Sequence, residues 1–231
     1  MATPEVHSLS YGHWSLPPSS GQVNGKPRTF FGRPDVQYAP LTENGDIEMV
    51  SFLRACRGVV EFVGFLGSAF SPVKNDIHGN IVKVERVYQT DIQKYVSVKK
   101  LLDAEIVDWP GRMGPATESL LWLKRALEFF CVFLDLIVID HKTGKRSNTL
   151  VPIGNEAYEK TLKKHHKKLE RGLFKVVIRA TPWRKDLLKT IASGRANAAE
   201  ECVSDIERYL DAMKSNVSRL VDMYRELGFE K

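Results

Sequence analysis

The stretch Ser119 to Ile139 constrains this chain more than any other. It is the most apolar run in the sequence, yet Lys124, Arg125, Glu128 and Asp135 interrupt it. Each such charge costs up to ~3 kcal/mol near a bilayer centre, so the run reads as a buried core helix and not as a membrane span. A helix apolar over most of its surface has to be covered by other elements, and the rest of the chain offers helices for that purpose.

From Asp46 onward Ile47, Val50, Phe52, Leu53, Val59, Val60 and Val63 recur at near-helical spacing, and this pattern ends near Gly67. Pro72 suits the first turn of a second helix reaching about Tyr88. A third is expected from about Asp91 to Val107, stopped by Pro110-Gly111, and a fourth from about Pro115 to Asp140, followed by a polar loop, His141 to Asn148. A long helix is expected from about Asn155 to Ala180, broken by Pro182, then a short one from about Trp183 to Ser193. The last runs from Ala198 to Leu227, with Leu210, Met213, Val217, Leu220, Val221 and Tyr224 on one face. No convincing β-alternating run and no internal repeat occurs, so the fold class is all-α, with about seven or eight helices. Residues 1–28 carry Pro17-Pro18-Ser19-Ser20-Gly21, Gly25 and Pro27 without apolar periodicity and read as a disordered tail. Residues 29–231 then form one domain.

Composition excludes more than it selects. Cys56, Cys131 and Cys202 are scattered and odd in number, which argues against a disulfide framework and a structural zinc site. Residues 1–12 show no basic stretch leading into an apolar run, so no secretory signal is expected, and the sequon at Asn216 is expected to stay unglycosylated. The net charge of +6 suggests an acidic partner, either nucleic acid or an anionic membrane surface.

Asp76, Asn80 and Lys83 stand at i, i+4 and i+7, and a helix stacks them on one face. The plain reading is a solvated polar stripe. Against it, Gly79 inside the same helix costs roughly 1 kcal/mol relative to alanine, which suggests that something approaches the backbone there. Trp122 sits in the most apolar helix, where a tryptophan is more often core than platform. His165 and His166 are adjacent, point to different faces and make a poor metal pair. No HExxH, no GxSxG, no ligand cluster and no phosphate-cradling glycine loop occurs. An enzyme reading lacks its parts, and neither cofactor nor metal is expected.

Three separated segments, in order, carry a resemblance. They are Phe65-Leu-Gly-Ser-Ala-Phe-Ser-Pro-Val-Lys-Asn-Asp-Ile-His-Gly-Asn-Ile-Val-Lys, Leu121-Trp-Leu-Lys-Arg-Ala-Leu-Glu-Phe and Ala157-Tyr-Glu-Lys-Thr-Leu-Lys-Lys-His-His. Together with Ala180-Thr-Pro and Leu220-Val-Asp-Met-Tyr-Arg, they resemble the glycolipid transfer protein superfamily from about Thr29 onward. Arg179-Ala-Thr-Pro and Tyr209-Leu-Asp-Ala-Met-Lys are most similar to the transfer domain of four-phosphate adaptor proteins, although 28 preceding residues are too few for a pleckstrin-homology domain. The resemblance implies a two-layer all-α fold enclosing an apolar lipid chamber under a polar headgroup site. It implies that Asp76, Asn80 and Lys83 bind sugar, that Trp122 stacks on the first sugar ring, and that Asp76 and His166 bond the ceramide amide.

The residue types suit those tasks. A carboxylate, an amide and an ammonium together offer sugar hydroxyls donors and acceptors, and Lys83 could reach back to favour the ionised form of Asp76. The ceramide-1-phosphate branch of the family has cations where this chain has Asn80 and Trp122, so a neutral glycosylceramide is expected. The expected function is cytosolic transfer of one neutral glycosphingolipid at a time between membranes, by a monomer that touches membranes only transiently. The alternatives are ceramide-1-phosphate transfer and a glycolipid sensor acting through a partner. Where simpler relatives carry Gly-Trp after the histidine, this chain has Lys167-Lys168, so docking is expected from Trp183 with Arg184, Lys185, Lys167 and Lys168, a solvated helix end being the plain alternative. Nucleic-acid binding through Lys160 to Lys168 and Arg171 lacks any accompanying recognition motif and is not expected.

Overall fold

The structure, a computed structural model, describes residues 29–230. Eight α-helices occur among them: α1 (Met49–Phe65), α2 (Ser71–Tyr88), α3 (Val98–Asp108), α4 (Pro115–Lys142), α5 (Val151–Lys160), α6 (Lys168–Val177), α7 (Arg184–Ile191) and α8 (Ala199–Glu226). The described residues contain no strand beyond two isolated bridges, Glu48 with Ser97 and Thr149 with Trp183. The expected tail, 1–28, lies outside the described residues.

The helices stack in two layers around α4, which packs against α2, α3, α5 and α8, while α1 packs on α2 and α7 on α8. The apolar run read from the sequence is the centre of this core, with Leu120, Leu123, Leu127 and Phe133 at most 1% exposed. Its charges are each answered by protein. Lys124 is buried between Glu128 at 2.8 Å and Glu230, Arg125 pairs with Glu230 at 3.2 Å, and Asp135 pairs with Lys214 at 2.6 Å. No helix among the described residues is long and apolar enough to cross a membrane.

The start of α4 shows how position follows from capping. Gly114 brings no side chain to the N-cap, and the buried carboxylate of Glu105 on α3 accepts from Ala116 N at 3.0 Å and Thr117 N at 2.6 Å. A Cβ on Gly114 would stand 2.5 Å from that carboxylate, so the glycine makes the close approach possible. Asn216 is buried and donates to Ala39 O and Ala212 O, so the sequon amide is engaged in the fold.

Three expectations need correction. The third helix begins at Val98 and not at Asp91, because the bridge to Glu48 holds Ser97 extended and its hydroxyl accepts from Lys100 N, which places the cap there. The long helix from Asn155 to Ala180 is two helices. Thr161 leaves the helical region at φ −125°, ψ −78°, and Tyr158 stacks on Phe174 with centroids 3.7 Å apart. In one straight helix those rings would be about 24 Å apart, so α6 must fold back over α5. Gly79 has nothing within 4 Å of where a Cβ would stand, so no protein group approaches the backbone there.

Candidate functional site

The α2 helix carries Asp76, Asn80 and Lys83 along one face, and that face borders a pocket of about 610 Å³. Across it α4 contributes Trp122, Ala126 and Phe129, while His166, Phe174 and Val177 come from the turn after α5 and from α6. The five residues expected at the headgroup site therefore line one pocket, with aromatic and aliphatic side chains continuing from them. The break at Thr161 is what permits this. It lets the chain turn so that His166 faces α2 and α4, whereas a continuous helix would carry it away.

Hydrogen bonds fix several of these groups. Asn80 is buried and its Nδ2 donates to Asp76 O at 3.0 Å, one turn back. His166 Nδ1 lies 3.1 Å from Tyr158 Oη, and its ring centroid is 6.4 Å from that of Trp122. A tyrosine hydroxyl donating to Nδ1 leaves the imidazole proton on Nε2, the tautomer able to donate to a carbonyl. The guanidinium carbon of Arg125 stands 4.8 Å from the Trp122 ring centroid, and Arg125 is itself held by Glu230. His165, facing the other way, has its Nε2 3.5 Å from the same Glu230.

Burial dominates the electrostatics. It raises the Asp76 carboxyl above the ordinary carboxylate value, and the opposing pull of Lys83, then of His166, does not cancel it. Lys83 pulls towards the ionised form of Asp76, as its charge requires, but desolvation outweighs that pull. Burial also lowers His166, with Glu170 and Asp76 pulling back, so the imidazole is neutral at pH 7.

The expected docking residues separate. Trp183 is 58% exposed, and Lys167, Lys168 and Lys185 are exposed as well. Arg184 is 7% exposed, with Nη2 2.7 Å from His141 Nδ1 and Nε 3.8 Å from Asp140, so it is withdrawn from any surface set. Its place as the first residue of α7, after an extended Trp183, turns it inward. Sequence reading missed Leu169, Leu173 and Val176, which are 82%, 49% and 69% exposed on α6. Their i, i+4, i+7 spacing was the available signal, hidden while α5 and α6 were read as one helix. It also missed Tyr158 and Arg125, which carry no mark until their partners are known.

Comparison with known proteins places the chain by sequence and by fold. A family described as Glycolipid transfer protein (GLTP) matches residues 47–193. The Glycolipid transfer protein of Danio rerio is 33% identical over 83% of this chain and 93% of its own. Pleckstrin homology domain-containing family A member 8 of Bos taurus is 34% identical over 100% of this chain and 44% of that longer protein. Among solved structures, one described as showing how FAPP2 selects simple glycosphingolipids using the GLTP fold superposes with a TM-score of 0.76. It is 33% identical and covers 88% of this chain and 98% of that one. The mouse ceramide-1-phosphate transfer protein shares the fold at a TM-score of 0.72 and 23% identity, over 83% of this chain and 93% of its own. With more than half its length matched by the family and two relatives above 30% identity, this chain belongs to the glycolipid transfer protein family.

Proposed function

We propose that this chain removes a single neutral glycosphingolipid from one membrane and delivers it to another through the cytosol, as a monomer and without catalysing a reaction. The observation that carries this reading is one continuous pocket with Asp76, Asn80, Lys83, Trp122 and His166 at one part and Phe129, Phe174 and Val177 at another. In this reading Asn80 and Lys83 bond sugar hydroxyls and Trp122 stacks on the first ring. Asp76 accepts from the ceramide amide N–H, and His166 Nε2 donates to its carbonyl. A neutral amide and an indole are poor phosphate ligands, which favours a sugar over a phosphate headgroup. Residues 29–231 form the transfer domain.

The lipid tails set the energetic demand. Burying hydrocarbon is worth ~0.8 kcal/mol per methylene, so two long chains lose on the order of 20 kcal/mol if they face water. At roughly 30 Å³ for a water-sized group, the pocket has room for about twenty such groups. The α6 helix forms one wall of that space, through Leu173, Phe174 and Val177. Of its residues only Val177 is buried. Docking uses Leu169, Leu173, Val176 and Trp183 as the apolar contact, with Lys167, Lys168 and Lys185 facing anionic lipid.

The test is transfer of fluorescent glucosylceramide and of fluorescent ceramide-1-phosphate between vesicles, with Asp76→Asn as the site variant. Glucosylceramide should move and the variant, whose amide oxygen still accepts but without the charge, should slow it by about five- to tenfold. That is the ~1–1.5 kcal/mol by which a hydrogen bond to a charged group exceeds a neutral one. Preferential movement of the phosphate lipid would defeat the headgroup assignment.

A further inference from the structure

A second cavity, about 460 Å³, lies apart from the glycolipid pocket and shares no residue with it. Three pieces of chain enclose it: the loop after α4 with Arg146 and Asn148, the α7 helix, and the segment from Arg195 into the start of α8. Five cations line it, Arg146, Arg184, Lys185, Lys189 and Arg195, against one acid, Asp186. Glu200 and Glu201 stand beside it but are occupied, Glu200 by Arg146 and His141 and Glu201 by Arg195. Lys185 and Lys189, one turn apart on α7, have no carboxylate partner among the described residues.

Arg184 is the unusual member. It is 93% buried by its 7% exposure, and its Nε has no hydrogen-bond partner. The nearest carboxylate, Asp140, is 3.8 Å away and already accepts from Ser147 N at 2.8 Å and from Ser147 Oγ at 2.6 Å. Its Nη2 lies 2.7 Å from His141 Nδ1, so Arg184 supplies buried positive charge at the back of the cleft, which the exposed Lys185 and Lys189 also line. The backbone agrees. Arg146 and Asn197 both line the cavity and both hold positive φ, 45° and 58°, which non-glycine residues adopt at sites where something constrains them. Moreover, α8 opens at the cleft with Ala198 as an N-cap that offers no side-chain bond, although Glu200 and Glu201 in its first turn offset the positive end of the helix.

We infer that this cleft binds the phosphate of an anionic membrane lipid, at a site separate from the glycolipid pocket. Chain continuity argues for a lipid as the source. Trp183, 58% exposed, immediately precedes Arg184 and Lys185 and bridges to Thr149 beside the cleft. An exposed indole next to cations is the composition found at headgroup level. The choice of lipid over a soluble phosphate rests on the membrane docking proposed above, whereas the anion site does not.

The test uses the full chain and phosphatidylcholine vesicles with or without phosphatidic acid, free of glycolipid, read by co-sedimentation. Failure here therefore leaves the glycolipid reading untouched. Phosphatidic acid should raise binding, and Lys185→Gln with Lys189→Gln should lower that increment by on the order of tenfold or more, two surface cations' worth. Lys100→Gln with Lys74→Gln, which removes equal charge elsewhere, should retain the increment. Soluble glycerol 3-phosphate should compete with the vesicles for the wild-type chain. An increment that survives the α7 variant, or that falls equally in the control variant, overturns the site. Protection by glycerol 3-phosphate without any vesicle dependence overturns the lipid source and assigns the cleft to a soluble phosphate.

Discussion

Replacing Trp122 by alanine tests the headgroup assignment most directly. The indole is already half-buried between its neighbours on α4 and the pocket, so a sugar ring can cover only one face of it, about 60 Å² of a side chain that buries ~150–250 Å² in full. At ~25 cal/mol per Å² that face is worth ~1.5 kcal/mol, and stacking adds ~0.5–1.5 kcal/mol. The total, ~2–3 kcal/mol, corresponds to a loss of ~30- to 150-fold in affinity for glucosylceramide. Ceramide without a sugar provides the internal reference, because Asp76 and His166 should hold its amide whether or not Trp122 is present. Arg125 loses its ring contact at 4.8 Å in this variant, so circular dichroism and a urea midpoint must first show that the fold persists. Trp122→Phe should recover part of the loss, since a smaller ring still offers a flat face. The assay is equilibrium binding of both fluorescent lipids. A fall below threefold for glucosylceramide, or an equal fall for ceramide, would refute the stacking role.

Stability predictions follow from two glycines with opposite surroundings. Gly79→Ala should stabilise the protein by ~0.5–1 kcal/mol, raising Tm by roughly 1–4 °C in a scanning experiment, because nothing stands within 4 Å of the added methyl. Gly154→Ala should destabilise by ~1–3 kcal/mol in urea titration, because its Cβ would meet Ile178 Cδ1 at 2.2 Å. The folded-state pKa of His165 is lowered to about 4 from 6.5, by burial first and then by Arg125, against Glu230. The unfolded chain thus binds its proton first, and the stability contributed by neutral His165 is complete above pH 6.5 and lost as pH falls towards 4. His165→Gln should flatten that part of a plot of urea midpoint against pH, and an unchanged slope would contradict the burial of the imidazole. Leu169→Asp with Val176→Asp should lower binding to neutral vesicles by about tenfold or more while leaving the helical content unchanged, since both side chains face solvent.

How much of this was legible beforehand depended on how local the cause was. The helical spacing around Ile47 to Val63 and the start at Pro72 required only neighbours in sequence, and both helices appear nearly where spacing puts them. Asp76, Asn80 and Lys83 share a face of α2 for the same local reason. Trp122 and His166 were singled out only by resemblance, and neither carried a signal of its own. Arg184 was misread for the complementary reason. Its sequence neighbours are an exposed tryptophan and a lysine, whereas Asp140 and His141, which draw it inward, lie more than forty positions away.

The sequence by itself determined an all-helical chain with a buried central helix, because apolar periodicity and the absence of β alternation are properties of a few consecutive residues. Only the tertiary structure decided where α5 ends and α6 folds back, since stacking of Tyr158 on Phe174 joins rings sixteen residues apart. It also decided that Asp76, Trp122 and His166 border one pocket, that burial outweighs Lys83 in setting the Asp76 carboxyl, and that five cations gather around a second cleft. Desolvation and convergence depend on what packs around a group in space, and no stretch of neighbouring residues contains that information.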